Sequence, residues 1–145
     1  MTFLPDVNVL IALIDPAHVH HDEAHQWFAD QGHSAWATCP LTQNGVLRIV
    51  GHSRYPNSPG TPAAVAQLMA RLCALPGHRF WMDDISLLDA RTVDAERLLS
   101  SGQVTDSYLL ALACAHNGQL ATFDRRLVTD AVRRGARGLY LMGGK

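Results

Sequence analysis

The sequence of 145 residues contains little lysine, little glutamate and little net charge. Lys145 is the only lysine, and Glu23 and Glu96 are the only glutamates, so most charged side chains are arginine or aspartate. Aspartate favours helix caps and strand ends over helix interiors, so we expect many of these carboxylates at the ends of elements. The net charge of −1 excludes a global positive field that would attract nucleic acid, although a local patch could still bind it.

A disulfide framework, a membrane-spanning run and a signal peptide are also not indicated. The three cysteines are odd in number, stand in apolar surroundings and form no CxxC pair, which favours buried reduced thiols. No apolar run is long enough to cross a membrane. The first residues lack a basic region, and Asp6 and Asn8 interrupt the apolar stretch there. We therefore expect a cytoplasmic protein with a single domain over residues 1–145.

The sequence does contain an alternation of strand-like and helical patterns. Strands are predicted at residues 2–6, 34–39, 79–84, 119–124 and 138–142. Helices are predicted at residues 7–14, 22–31, 40–50, 63–75, 89–100, 104–118 and 125–135. Thr105 is expected to cap the helix at 104–118, and the run YPNSPGTP at 55–62 to be a mobile connection between two helices. This order predicts an α/β fold with a parallel sheet and helices on both faces.

Four polar residues stand where predicted strands end or where predicted helices begin. Asp6 ends the first strand, and Gln43 lies in the first turn after the second. Asp106 opens the helix at 104–118, and Asp124 follows the strand QLAT. In right-handed crossovers, strand carboxyl ends and helix amino ends share one edge of the sheet, where open α/β sheets bind ligands. We expect all four side chains to converge there.

Each aspartate alone has a structural explanation, since Asp106 complements a helix dipole, Asp124 can cap a helix and Asp6 can bind backbone amides. Together, however, crowded carboxylates repel one another, and burial increases that cost. A divalent cation relieves it, and all-oxygen ligands favour Mg²⁺ or Mn²⁺. Such ions polarise phosphate and activate water, so the pattern indicates phosphodiester hydrolysis.

The segments LPDVNVLIAL, PLTQNGVLRIV, VTDSYLLALACAHNGQLATFD and GLYLM resemble the PIN domain, and most closely the VapC-type toxins of bacterial toxin–antitoxin pairs. The resemblance runs from Phe3 to Met142. It implies a single PIN domain over residues 1–145, folded as a three-layer α/β/α sandwich with a parallel sheet of four to five strands. It also implies a metal-dependent endoribonuclease that forms a homodimer and is inhibited by a cognate VapB-type antitoxin. The family's acidic metal positions match Asp6, Asp106 and Asp124, and its supporting polar positions match Asn8 and Thr122.

One position departs from the family pattern. The second acidic residue of the family is typically glutamate, and here the segment PLTQ supplies Gln43. A neutral carboxamide should weaken a second metal site most. Two hypotheses follow: an active endoribonuclease that uses Asp6, Gln43, Asp106 and Asp124, or a catalytically weakened PIN-like module that binds antitoxin or RNA without cleavage.

Basic residues and histidines leave further alternatives. Four arginines could bind RNA phosphates near the acidic residues: Arg48, Arg54, Arg125 and Arg126. The alternative is that they only form solvated helix faces. Arg133, Arg134 and Arg137 are expected to serve the C-terminal dipole of the last predicted helix. His21 and His25 have the i, i+4 spacing of a zinc pair, but they lack obvious further ligands, which favours surface or loop histidines.

Overall fold

The computed structural model describes residues 1–143 and contains five α-helices and five β-strands in that range. The strands are β1 (Phe3–Pro5), β2 (Trp36–Thr38), β3 (His78–Phe80), β4 (Gln119–Thr122) and β5 (Leu139–Leu141). The helices are α1 (Val7–Ile14), α2 (His21–Asp30), α3 (Pro40–Val50), α4 (Pro62–Cys73) and α5 (Val104–Ala115). Five strands alternating with helices agree with the α/β fold predicted from the sequence.

All strand pairs in the sheet are parallel, and the order is β3-β2-β1-β4-β5. The chain moves outward from β1 to β2 and β3, and it then crosses to β4 on the other side of β1. The strand order therefore reverses between β1 and β4. Ligands of open α/β sheets bind at such a reversal, outside the carboxyl ends of the strands.

Alternate residues of β1, β2 and β4 pack into cores on the two faces of the sheet, as strand geometry requires. On one face Leu4 and Leu120 pack with α5, whose Leu109–Ala113 segment is buried. On the other face Trp36 packs with α1, α3 and α4, and Phe3 packs with Trp27 of α2. The result is the three-layer arrangement that the sequence predicted, with one helix and irregular segments on the first face and four helices on the second.

The bounds of α1 and α3 and the start of α5 at Val104 agree with the prediction, but the predicted cap and the predicted end of α5 were wrong. Thr105 does not cap α5, because the helix begins at Val104, directly after a 3-10 turn at Ser101–Gln103. The buried Gln103 side chain accepts from the Leu99 amide at 3.0 Å and donates to the Arg97 carbonyl at 2.9 Å. The glutamine side chain thus fixes the turn before the helix, although it makes no capping bond to the first amides of α5.

The helices predicted at residues 89–100 and 125–135 are absent from the structure, which has only short turns in these segments. Their backbones bond to each other instead. The Asp94 amide donates to Ala131 at 2.8 Å, and the Arg133 amide donates to Thr92 at 3.0 Å. Aspartate side chains also accept local backbone bonds, as Asp89 does from the Arg91 amide at 2.9 Å, and such bonds compete with helix formation.

Within residues 1–143, no helix combines the length and apolar character needed to cross a membrane.

Candidate active site

Asp6 stands at the junction of β1 and α1 and serves as the N-cap of that helix. Its backbone is extended (φ −71°, ψ 173°), and its Oδ1 accepts from the Val9 amide at 2.9 Å. The Asp6 amide donates to the Ala121 carbonyl of β4 at 2.9 Å, which holds the residue at the strand reversal. The side chain is only 9% exposed. The position thus aims a buried carboxylate at the edge of the sheet where ligands bind.

Thr122 links Asp6 to Asp124. Its hydroxyl donates to Asp6 Oδ2 at 2.5 Å, and its Oγ1 accepts from the Asp124 amide at 3.0 Å. Thr122 is fully buried at the end of β4. One side chain therefore orients one carboxylate and the backbone of another.

Asp6, Asp106 and Asp124 line one open cleft of about 350 Å³, together with Val7, Asn8, Thr105 and Leu109. Asp106 lies in the first turn of α5, as the sequence predicted, and Asp124 follows β4. No arginine, lysine or histidine lines the cleft within the described part of the chain. The structure brings together three of the four residues that were expected to converge.

The electrostatics of the cleft favour a bound cation. The pKa of Asp6 is raised from 3.8 to about 6, chiefly because the carboxyl group is buried; the charges of Asp106 and Asp124 also raise it, while the bonds from Thr122 and Val9 lower it. Burial and the charge of Asp124 likewise raise the pKa of Asp106. The charged forms of Asp6 and Asp106 are thus disfavoured by desolvation and by neighbouring negative charge, and no protein cation in the lining of the cleft offsets this cost.

Gln43 does not line the aspartate cleft. Its Nε2 donates to Thr38 Oγ1 at 2.9 Å, and the Thr38 hydroxyl also contacts His78 Nε2 at 2.8 Å. The side chain lines a separate cavity between α3 and α4, together with Leu47 and Met69. The expectation that Gln43 would face the aspartates assumed only its place in the first turn of α3, which does not fix the side-chain direction.

His18 contributes a contact at the cleft that the sequence did not reveal. Its Nδ1 accepts from the His20 amide at 3.0 Å, so Nε2 carries the hydrogen and donates to Asn8 Oδ1 at 3.0 Å. Asn8 is exposed and lines the cleft. The loop between α1 and α2 therefore positions one of the polar residues expected to support the acidic site.

The arginines expected near RNA are all exposed but lie outside the lining of the cleft in the described structure; they are Arg48, Arg54, Arg125 and Arg126. The Arg125 guanidinium donates to the Gly143 carbonyl. The Arg126 amide donates to Asp124 Oδ1 at 2.8 Å, which closes a tight turn at the rim.

His21 and His25 form hydrogen bonds to the C-terminal end of α1 and do not form a zinc site. Their rings bond the carbonyls of Ala12 and Leu13 at 2.7 and 2.8 Å, two groups that lack partners inside the helix. Among residues 1–143, no three histidine, cysteine, aspartate or glutamate side chains are grouped closely enough to enclose a metal ion. The aspartates alone would therefore not enclose a cation, which would take its remaining ligands from water, as Mg²⁺ commonly does.

Comparison with known proteins gives one family. The family model described as the PIN domain matches residues 3–131. Ribonuclease VapC44 of Mycobacterium tuberculosis is 46% identical over 132 residues, which cover 91% of this chain and 92% of that protein. Ribonuclease VapC39 of the same organism is 41% identical over 131 residues, which cover 90% and 94%.

Among solved structures, the chain resembles the crystal structure of Mycobacterium tuberculosis VapC20, described as a toxin that cleaves the sarcin-ricin loop. The TM-score is 0.60 with 17% sequence identity, and the match covers 86% of this chain and 91% of that one. At this identity the likeness concerns the fold alone.

Proposed function

The chain belongs to the PIN-domain family, and we propose that it is an endoribonuclease toxin of the VapC type that cleaves RNA at the aspartate cleft. The supporting relatives are named ribonucleases and align over nine-tenths of the chain. The observation that carries the proposal is the desolvated Asp6, held by Thr122 at the strand reversal beside Asp106 and Asp124. Three carboxylates with no protein cation between them suit a divalent metal ion and the phosphate that it binds.

In this proposal the three aspartates are the metal-binding residues. Mg²⁺ or Mn²⁺, when bound, polarises the phosphorus centre and lowers the pKa of water. Thr122 holds the Asp6 carboxylate in one orientation at the cleft that it lines. Asn8, fixed by His18, offers a neutral oxygen and amide at the rim for an RNA hydroxyl or phosphate. No side-chain nucleophile is required.

The partners follow from the family. We propose that a VapB-type antitoxin covers the cleft, that the chain forms a homodimer and that it acts on RNA in the cytoplasm. The exposed arginines at the rim of the cleft, Arg125 and Arg126, are candidates for phosphate contacts because their backbone directly follows Asp124.

The test is cleavage of a mixed RNA pool with Mn²⁺ and with EDTA. We expect cutting that EDTA abolishes and that Asp6→Asn lowers more than about a hundredfold, beyond the 10- to 100-fold typical of residues that merely support a metal ligand. Asp22→Asn on the exposed face of α2 is the matched control and should cut like its parent. An Asp6→Asn variant that cuts as fast as its parent would show the assignment to be wrong.

A further inference from the structure

Arg133, Arg134 and Arg137, near the end of the segment 124–138, do not lie at the C-terminus of an α-helix. They were expected to complement the dipole of a helix at 125–135, which the structure does not contain. The segment instead crosses beside α5 and carries five of the eleven arginines, namely Arg125, Arg126, Arg133, Arg134 and Arg137. It contains only two carboxylates, Asp124 and Asp130. The concentration of positive charge in this segment needs another explanation.

Two of these arginines line a cavity near the amino end of β4, whereas the aspartate cleft lies beyond the carboxyl end of that strand. The cavity measures about 190 Å³ and is lined by Arg134, Arg137, Cys114, Asn117, Gly118, Gly138 and Met1. No carboxylate is part of its lining. Across residues 1–143, neither guanidinium group is within 4.0 Å of an acidic side chain. The positive charge in the cavity is therefore not neutralised by the described protein.

The backbone around the cavity is held in place. Arg134 adopts a left-handed conformation (φ 63°), which costs energy for a residue with a side chain. Its carbonyl accepts from the Arg137 amide at 3.1 Å and from the Cys114 thiol at 3.8 Å. The Arg137 carbonyl accepts from Gln119 Nε2 at 3.1 Å. The Arg134 carbonyl is thus tied to α5 and the Arg137 carbonyl to β4, so the backbone that carries the two side chains is fixed.

Gly138 permits the close packing that forms the cavity floor. A Cβ atom at this position would lie 2.4 Å from the Cys114 sulfur. A side chain here would force the Cys114 sulfur to move, so glycine allows the segment to lie close to α5 at the cavity that Arg134 and Arg137 line.

From this arrangement we infer that Arg134 and Arg137 form a second phosphate-binding site, which holds RNA away from the cleavage point. This inference rests on the proposed ribonuclease function. The planar guanidinium group suits phosphate better than a point charge does. The same segment begins with Asp124, Arg125 and Arg126 at the cleft, so basic side chains mark both of its ends. Because of that continuity, a polyanion that extends from the cleft to the cavity is a better candidate ligand than an acidic peptide that binds only at the cavity.

The separation suits a folded RNA. The register pairs Leu120 with Leu139 and Thr122 with Leu141, so Gly138 lies near the amino end of β4 while Asp124 lies beyond its carboxyl end. Four strand residues at about 3.3 Å each give about 13 Å between the two edges. This distance is well within one turn of a nucleic-acid duplex, about 34 Å. A stem or a compact loop can therefore contact both sites.

The experiment is RNA binding by fluorescence anisotropy in EDTA, in an Asp6→Asn background so that no RNA is cut. The probe is a labelled hairpin of about 30 nucleotides, titrated at several KCl concentrations from about 50 to 300 mM. Each lost phosphate contact makes the slope of log affinity against log salt shallower by about 0.7 to 0.9. We expect the double substitution Arg134→Gln and Arg137→Gln to make that slope shallower by about 1.4 to 1.8 and to weaken binding on the order of tenfold.

Matched variants separate this role from a structural one. Arg134→Lys with Arg137→Lys keeps the charge and should keep the slope, while Arg71→Gln on the exposed face of α4 removes a remote charge and should leave it unchanged. The inference is overturned if the double glutamine variant has the slope of Arg71→Gln, or if the background protein does not bind the hairpin at 50 mM KCl. It is also overturned if the variant binds RNA normally but loses an aspartate-rich peptide. Metal-dependent cleavage by the unmodified chain, together with an unchanged slope, would retain the proposed function and reject this site alone.

Discussion

Thr122 Oγ1 lies 2.5 Å from Asp6 Oδ2 and donates its hydrogen to that carboxylate. The two residues are 116 positions apart in sequence, and the bond joins the ends of β1 and β4 across the strand reversal. The bond stabilises the charged form of a carboxylate that burial destabilises. A single hydroxyl therefore supports both the orientation and the ionisation of the most buried carboxylate of the cleft.

The first prediction removes this hydroxyl. Thr122→Val keeps the shape of the side chain, leaves the Asp124 amide without its acceptor and raises the pKa of Asp6 further. We expect kcat/KM for metal-dependent RNA cleavage to fall about 10- to 100-fold, as is typical when a residue that supports a metal ligand is lost. Titration of Mn²⁺ at fixed RNA concentration measures the effect. Thr129→Val, outside the cleft lining, is the control, and equal rates for the two variants would contradict a supporting role for Thr122.

The second prediction concerns the stability of the metal-free fold. The folded pKa of Asp6 is raised from 3.8 to about 6, so its contribution to stability is fully present below pH 3.8 and is lost as the pH rises through 6. A shift of this size corresponds to about 3 kcal/mol. Asp6→Asn removes the titrating carboxyl group, so the variant does not lose this stability as the pH rises. Relative to its parent, the variant should therefore gain about 1 to 3 kcal/mol in free energy of unfolding between pH 4 and pH 7.

Urea unfolding in EDTA at the two pH values measures this difference, and Asp22→Asn serves as the exposed control. Addition of Mn²⁺ at pH 7 should then stabilise the parent by about 2.7 kcal/mol at a hundred times its Kd, while the variant gains less. If the stability of Asp6→Asn relative to the parent is the same at both pH values, the carboxylate does not titrate as described.

The third prediction concerns Gln43. Because its carboxamide bonds Thr38 and lines the cavity between α3 and α4, the aspartate cleft does not depend on it. We expect the unmodified chain to cut RNA with Mn²⁺ and to stop in EDTA, and Gln43→Glu to change the rate less than about threefold. Asn44→Glu, which adds the same charge on the exposed neighbour, is the control. Cutting by Gln43→Glu alone would instead support the hypothesis of a weakened module that binds without cleaving.

The sequence predicted those elements whose packing is encoded within one segment. The apolar run VNVLIALI after Asp6 and the segment PLTQNGVLRIV after Cys39 form α1 and α3 with the predicted bounds. In α3, Pro40 occupies the first turn and the Thr42 hydroxyl accepts from the Cys39 amide at 3.0 Å. Such short-range signals are readable without the fold.

Prediction from the sequence failed for segments whose backbone hydrogen-bond partners are distant in the chain. The segments around Val93 and Val132 have helical spacing, but they pair as an isolated antiparallel bridge, and each supplies the hydrogen bonds that the other lacks. Convergence of the three aspartates followed from the topology and was predictable. The direction of the Gln43 side chain and the bond between His18 and Asn8 depend on neighbours from other elements, and no local pattern specifies them.

The last prediction concerns Asp15, the buried C-cap residue of α1. Its Oδ1 accepts from the Ala17 amide at 2.9 Å and from Asn57 Nδ2 at 2.6 Å, and its Oδ2 accepts from the Tyr55 hydroxyl. Burial raises the pKa of Asp15, but these bonds outweigh it and hold the pKa below its usual range. The loop after α3, which the sequence predicted to be mobile, is thereby tied to the end of α1.

Tyr55→Phe removes one of these bonds and leaves a buried carboxylate oxygen without its partner. We expect a loss of about 1.5 to 3 kcal/mol in free energy of unfolding at pH 7, the usual contribution of a hydrogen bond to a charged group. Because the folded pKa is lowered, this stabilisation is present above the unfolded pKa of 3.8 and disappears as the pH falls below it. The difference between variant and parent should therefore shrink below pH 3.8. Ser58→Ala removes a bond internal to the same loop and is the control, so equal losses for the two variants would show that Asp15 does not anchor the loop.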